Sequence, residues 1–432
     1  MAAAFPAEQQ VLRRVSVFRG GWTWDEALAV SEATVPILAA LADKSLVLAD
    51  AQGRFTMHEL VRQYAADQLD AAGEGDRIRR RHFTTYLQLV RKADSYLRGA
   101  GAAQWYARLD AELDNLRTAW EWALAADAVV DAAWLGVALS HYWTVRIHYH
   151  EAAFWMEQLL PHRQRLPHDP RLATLLTLYH IWRGRDDFQS IDRYLAELVQ
   201  LQEASANSGL RAVAWRCMGV ATADYDRAVS LWEQCIGLLR AVGSGADEST
   251  SKAAGYCVYA DYPYQLAFAL FRYAIRLTDA GDYGGAERLS AESLALFRRQ
   301  QNRDYIVYPL GNLGRLALLR GDLAQARLLL QEAVATARAI GNVMGLLDWL
   351  PRLGVVLLYS GFVDEAQRLL HESLQLSRTT TSAMYLAWSY TYLAEAALWQ
   401  GDLGQAAYWL AQALTYHANR AGSVQSWSIV FG

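Results

Sequence analysis

Six histidines fall between positions 141 and 180: His141, His148, His150, His162, His168 and His180. Imidazole is a zinc ligand, and His148-Tyr149-His150 invites that chemistry. Zinc sites need ligands that converge at ordered spacing, usually with Cys or carboxylates among them. These histidines flank expected helix ends, so they read as solvated turns and no metal is expected. Cys217, Cys235 and Cys257 show no CxxC spacing and are too few for a disulfide framework, which suits a reduced, cytoplasmic compartment. The run Arg77, Arg79, Arg80 and Arg81, beside Asp76 and His82, has the charge to meet DNA phosphates. It reads better as a helix face set against acidic neighbours. No Gly-x-Ser-x-Gly, His-Glu-x-x-His or paired-carboxylate arrangement stands out, so the chain is not expected to be an enzyme.

The composition agrees with a binding protein. A net charge of −4 argues against a general nucleic-acid binder. With 432 residues, 53% hydrophobic and 20% charged, the chain is folded and too long for one ordinary core. No run approaches the ~18 apolar residues of a membrane span, and the amino terminus lacks a basic segment followed by an apolar one. A soluble protein without a membrane partner is expected. Only 8 prolines suit a mostly helical chain, and 16 Trp and 23 Tyr leave aromatics for a binding groove as well as a core.

The elements that would position such a groove repeat every 40 residues. Gly281-Asp282, Gly321-Asp322, Gly361-Phe362 and Gly401-Asp402 each open a segment with Ala five residues on, at Ala286, Ala326, Ala366 and Ala406. A bulky apolar residue follows at Leu289, Leu329, Leu369 and Trp409. A fixed period of this size marks a stacked solenoid, in which no unit buries its apolar face alone. The helical array is expected over 129–432, clearest over 264–432, with a Gly-, Ser- and Asp-rich loop inserted at about 243–263. The apolar ending Trp427-Ser428-Ile429-Val430-Phe431 is unlike a polar cap, so the array is expected to continue or to pack on a partner.

Residues 1–73 read differently. Helical patterns at Gln9–Val17, Asp25–Val30 and Val35–Asp43 precede two β-prone runs, Leu46–Leu48 and Arg54–Met57, joined by a turn at 50–53. A helix from His58 to about Ala72 closes the segment at Gly73. Three helices, a hairpin wing and a closing helix describe a winged-helix domain. A helical connector, 74–128, is broken at Arg98–Gly101. The expected fold is all-α: a winged-helix domain with a small β-hairpin, then an α-solenoid.

Within each unit, Leu313-Gly314, Gly321, Ala326, Leu330 and Ala333 resemble the tetratricopeptide pattern, with small residues where two helices cross closely. The tetratricopeptide unit is usually ~34 residues, so the 40-residue unit implies longer helices. The front of the chain carries a second resemblance. Leu12–Trp22, Leu41–Val47, Arg54–Ala65, Arg81-His82-Phe83 and Glu112–Arg117 are similar to the winged-helix segment of bacterial STAND-type (NB-ARC-like) signalling ATPases, many of them transcriptional regulators. In that family a Met-His-Asp motif sets its histidine against the β-phosphate of ADP; Met57, His58 and Glu59 stand in its place. An imidazole can donate to a phosphate oxygen. No GxxxxGK[ST] occurs, so ADP or ATP is expected only on a nucleotide-binding domain that this chain lacks, and no cofactor is expected in the chain itself.

In tetratricopeptide arrays the first helix of each unit lines an inner groove. The resemblance therefore implies an inward set: Phe268 and Arg272; Tyr308, Asn312 and Arg315; Asp348, Arg352 and Tyr359; Trp388, Tyr392, Glu395 and Trp399. Aromatics mixed with Arg, Asn and acidic groups suit a protein, peptide or small-molecule effector. Three functions compete. The leading one is a sensor module that binds an effector or partner and controls a STAND-type ATPase. The second is a DNA-binding winged-helix regulator, but Val35–Asp43 offers no Arg, Lys, Asn or Gln to read base edges, so direct DNA contact is not expected. The third is a plain repeat scaffold.

Overall fold

The computed structural model describes residues 6–51, 53–243, 259, 261–380 and 382–418. Most of the expected inserted loop at 243–263 and the apolar chain end lie outside the described residues. The chain divides into two compact units. The first comprises 1–97, 101–139 and 158–167; the second comprises 98–100, 140–157 and 168–432.

In the first unit, α1 (Pro6–Val15), α2 (Trp24–Ser31) and α3 (Val35–Asp43) precede a small sheet, and α4 (Glu59–Ala71) closes it. The sheet has three antiparallel strands, β1 (Trp22–Thr23), β2 (Leu48–Ala49) and β3 (Arg54–Thr56), with β3 in the middle. β1 has only two residues, too short for a period-2 pattern to register, and the sequence reading omits it. Gly53 at φ +78° and the Asp50 carboxylate, which accepts from the Arg54 amide at 2.9 Å, make the β2–β3 turn.

The expected connector, 74–128, packs closely against the front helices. Helix α5 (Gly75–Tyr96) lies against α2 and α4, and α7 (Leu113–Ala125) lies against α5. Phe18 stacks on Trp22 at 5.1 Å and meets Tyr86 edge-on at 6.4 Å, so one core spans both segments. α6 (Ala102–Ala111), the start of α8 (Val129–Arg146) and a 3-10 turn at Leu160–Arg165 complete the unit.

The second unit is a run of antiparallel helix pairs. After the end of α8 and α9 (Tyr149–Glu157), the pairs are α10 (His168–Gly184) with α11 (Phe188–Ala204), and α12 (Ser208–Ala221) with α13 (Tyr225–Gly243). Then come α14 (Tyr262–Asp279) with α15 (Tyr283–Arg299), α16 (Arg303–Leu319) with α17 (Leu323–Ile340), α18 (Val343–Tyr359) with α19 (Val363–Thr379), and α20 (Ala383–Trp399) with α21 (Leu403–Ala418). Consecutive pairs stack as a tetratricopeptide-like solenoid.

The 40-residue period has a local cause at every hairpin. Gly281, Gly321, Gly361 and Gly401 sit at φ between +78° and +86°, the left-handed conformation that ends a helix and that a side chain resists. Asp282, Asp322 and Asp402 then cap the next helix by accepting from the amides of Gly285, Gln325 and Gln405. Phe362 breaks the pattern, caps nothing through its side chain, and instead sits under the Arg327 guanidinium at 5.3 Å. Ala286, Ala326, Ala366 and Ala406 are at most 2% exposed. A Cβ on Gly314 would fall 2.7 Å from Leu330, so glycine is what permits that helix crossing.

Candidate functional site

First helices of successive pairs also pack on one another: α10 on α12, α12 on α14, α14 on α16, α16 on α18 and α18 on α20. This adjacency places the same helical face side by side across the second unit. A cavity of about 220 Å³ opens on that face. Its walls come at i, i+4 spacing: Tyr179 and Arg183 from α10, Arg216 and Val220 from α12, Phe268 and Arg272 from α14, Asp304 and Tyr308 from α16, Met344 and Asp348 from α18. Tyr149, His180, Cys217, Phe271, Tyr305, Asn342 and Tyr385 complete much of the lining.

The charges there are unusual. Arg183, Arg216 and Arg272 all line the cavity, and among the described residues none forms an ion pair with a carboxylate within 4 Å. Arg216 is buried, with its guanidinium 4.4 Å over the Phe268 ring and Nη2 3.4 Å from His180 Nε2. Burial, then the neighbouring Arg216, Arg183 and Arg272, hold His180 well below the usual histidine range, so its neutral ring accepts from Arg216. Burial and the nearby Arg183 push Arg272 down to about 10. Burial raises Asp348 to about 6, against the opposing pull of Arg352, a Tyr385 hydrogen bond and Arg272. Burial also pushes the Cys217 thiol up to about 11, so it is not poised as a nucleophile.

Of the groove residues expected from the repeat frame, Phe268, Arg272, Tyr308 and Asp348 line this cavity. Asn312 does not belong with them. It is fully buried, and its amide donates to Ser290 Oγ at 3.0 Å and Thr278 Oγ1 at 3.3 Å, inside the helix packing. The rest sit elsewhere on the first helices. Arg352 faces Trp349, Trp388 and Tyr392 at 5.3, 5.6 and 5.8 Å from the ring centres. Arg315 pairs with Asp279 at 2.8 Å. The Tyr359 hydroxyl donates to Glu395, and its ring lies 4.8 Å from that of exposed Trp399.

Arg183 and Arg216, and the place of His180 in the groove, escaped the sequence reading because α10 and α12 carry only a loose version of the repeat. The signal was the i, i+4 pairing of Tyr179 with Arg183, repeated by Arg216 with Val220. The reading of the histidines as solvated turns is corrected at two positions. His141 and His180 lie inside helices; His141 is buried and stacked on Tyr305 at 5.6 Å. Among the described residues no three His, Cys, Asp or Glu side chains gather as a metal-ligand set.

His58, in the first unit, is exposed at the start of α4, where Nδ1 accepts from the Leu60 amide at 3.3 Å. The two other motifs, Arg81-His82-Phe83 and Glu112–Arg117, meet behind the sheet. Asn115 donates to Gly21 O at 2.7 Å and to Glu112 Oε2 at 2.8 Å, and accepts from the Arg19 amide at 2.7 Å. The wholly buried Glu112 also receives Tyr86 O–H at 3.0 Å and pairs with Arg54 of β3. His82 lies 3.5 Å from Asn115 and is held down to about 4 by burial, so it is neutral. The arginine run is spent within the unit: Arg77 pairs with Glu74, Arg79 with Asp70 and Arg81 with Glu32.

No family model matches this sequence. Among solved structures, it is similar to a Signal Transduction ATPase with Numerous Domains protein with a tetratricopeptide repeat sensor from Pyrococcus horikoshii. That likeness has a TM-score of 0.52 at 12% identity and covers 99% of this chain and 66% of the other, so it speaks to fold alone. Over 163 residues it is 32% identical to proteins of Mycobacterium tuberculosis and Mycobacterium bovis named, provisionally, as HTH-type transcriptional regulators. The match covers 35% of this chain and only 18% of those much longer proteins. Among the described residues no helix is long and apolar enough to cross a membrane.

Proposed function

We propose that the chain is a sensor and interaction module, in which the repeat array takes up an effector and the N-terminal unit passes the change to a signalling ATPase. One observation carries this reading: a cavity spanning six adjacent first helices, rich in tyrosine and in arginine charge that, among the described residues, no ion pair compensates. Buried charge of that kind is costly unless something pairs it. The thiol–imidazole pair in that cavity, Cys217 Sγ 3.9 Å from His180 Nε2, is not poised for attack, because burial raises the thiol to about 11 and holds the histidine low; recognition therefore fits better than catalysis. The N-terminal unit is read as a winged helix from its helix–helix–helix–hairpin–helix order. His58 is proposed to sense a phosphate only when a nucleotide-binding domain stands beside it.

The test uses the purified chain and native-cell extract divided by dialysis into small and large components. One fraction is expected to raise the melting temperature of the wild type and leave Tyr308→Ala unmoved. Equal shifts in both proteins, or none in either, refute the reading. A second reading, direct DNA binding, has the mycobacterial names in its favour. The intramolecular pairing of Arg77, Arg79 and Arg81 and the base-blind α3 favour it less. Salt-dependent binding to duplex DNA would rescue it.

A further inference from the structure

We propose that the cavity binds a small carboxylate with an aromatic or apolar body, its charged end held by Arg183, Arg216 and Arg272. This rests on the sensor reading and names the ligand class of that site. Three guanidiniums in one cavity repel one another, and arginine is suited to bidentate capture of planar anions. With His180 neutral, the formal charges of the three arginines and of Asp304 and Asp348 sum to +1. One negative charge neutralises that, which favours a carboxylate over a phosphate dianion. The shape points the same way. About 220 Å³ is below the roughly 300–1,000 Å³ of drug-sized sites, so the occupant is a small metabolite or the last residue of a peptide. The rings of Phe268, Phe271, Tyr305 and Tyr308 lie 5.4–6.2 Å apart in a chain of contacts, a wall for a flat apolar body.

Calorimetric titration of the full chain with matched probes tests this: N-acetylphenylalanine, phenylacetate, and their neutral amides. The acids are expected to bind at least ~10-fold more tightly than the amides, the factor that a 1.4 kcal/mol difference confers. Arg272→Met is expected to remove the preference for acid over amide. It should also leave the ligand-free melting temperature equal to or above that of the wild type, because a repulsion is relieved; a merely structural arginine would lower it. A short peptide ending in phenylalanine, as free acid and as amide, separates the sources: tighter binding of the peptide acid than of N-acetylphenylalanine marks a chain terminus. Amides binding as well as acids, or no binding by any acid, overturns the carboxylate inference. If extract still stabilises the wild type in that case, the sensor reading stands alone. If acids bind and no extract fraction acts, the sensor reading is the one that falls.

Discussion

Asp348→Asn isolates the electrostatic state of the cavity. Burial raises the wild-type carboxyl from its ordinary 3.8 to about 6. The folded chain therefore holds this proton more tightly than the unfolded chain between those values. Stability contributed by the protonated acid is present at low pH and is lost as pH rises from about 4 through about 6. At 1.36 kcal/mol per pH unit, the full loss is at most about 3 kcal/mol. Water reaching a half-buried carboxylate brings this nearer ~2 kcal/mol. Asparagine has no proton to lose, so any packing cost of the substitution is the same at every pH. The melting-temperature difference, variant minus wild type, is expected to grow by ~4 °C between about pH 4 and pH 7.5, at roughly 2 °C per kcal/mol for a unit of this size. Scanning calorimetry of both proteins across that range measures it. A flat difference would falsify the claim that the carboxyl is desolvated beside Arg272 and Arg352. The same variant raises the formal cavity charge and is expected to tighten carboxylate binding above pH 6.

Four further variants test the packing. Glu112→Gln leaves Arg54 and Arg108 beside an uncharged partner in the core of the first unit, and a loss of about 3–5 kcal/mol in urea unfolding is expected. Gly311→Ala places a Cβ 2.2 Å from the Trp349 ring and is expected to cost about 1–3 kcal/mol. Gly237→Ala, mid-helix with nothing within 4 Å of its Cβ, is expected to stabilise by about 0.5–1 kcal/mol; equal effects at the two glycines would refute the packing argument. Arg298→Ala breaks an exposed rung, Arg298–Glu332, of an inter-helix ladder continued by Arg338–Glu372, and chemical denaturation is expected to move by less than about 0.5 kcal/mol.

The sequence by itself determined the period. A left-handed glycine is a local device, and its repetition at 281, 321, 361 and 401, followed by a capping aspartate at all but 361, reads off the chain without knowledge of any distant contact. The frame also carried Phe268, Tyr308 and Asp348, three positions 40 residues apart, onto one face. Four residues on, the same frame misleads: Arg272 reaches the cavity, Asn312 is sealed between helices, and Arg352 turns to Trp349, Trp388 and Tyr392. Position in a repeat sets the direction of the backbone; what each neighbour leaves open decides where a side chain ends. The meeting of Glu112, Asn115 and Arg54, and the gathering of Arg183, Arg216 and Arg272, belong to tertiary structure alone. In the first case Arg54 is 58 residues from Glu112, and Asn115 reaches Gly21 and Arg19, 94 and 96 residues away. In the second, the charges come from three helices whose adjacency no local pattern records.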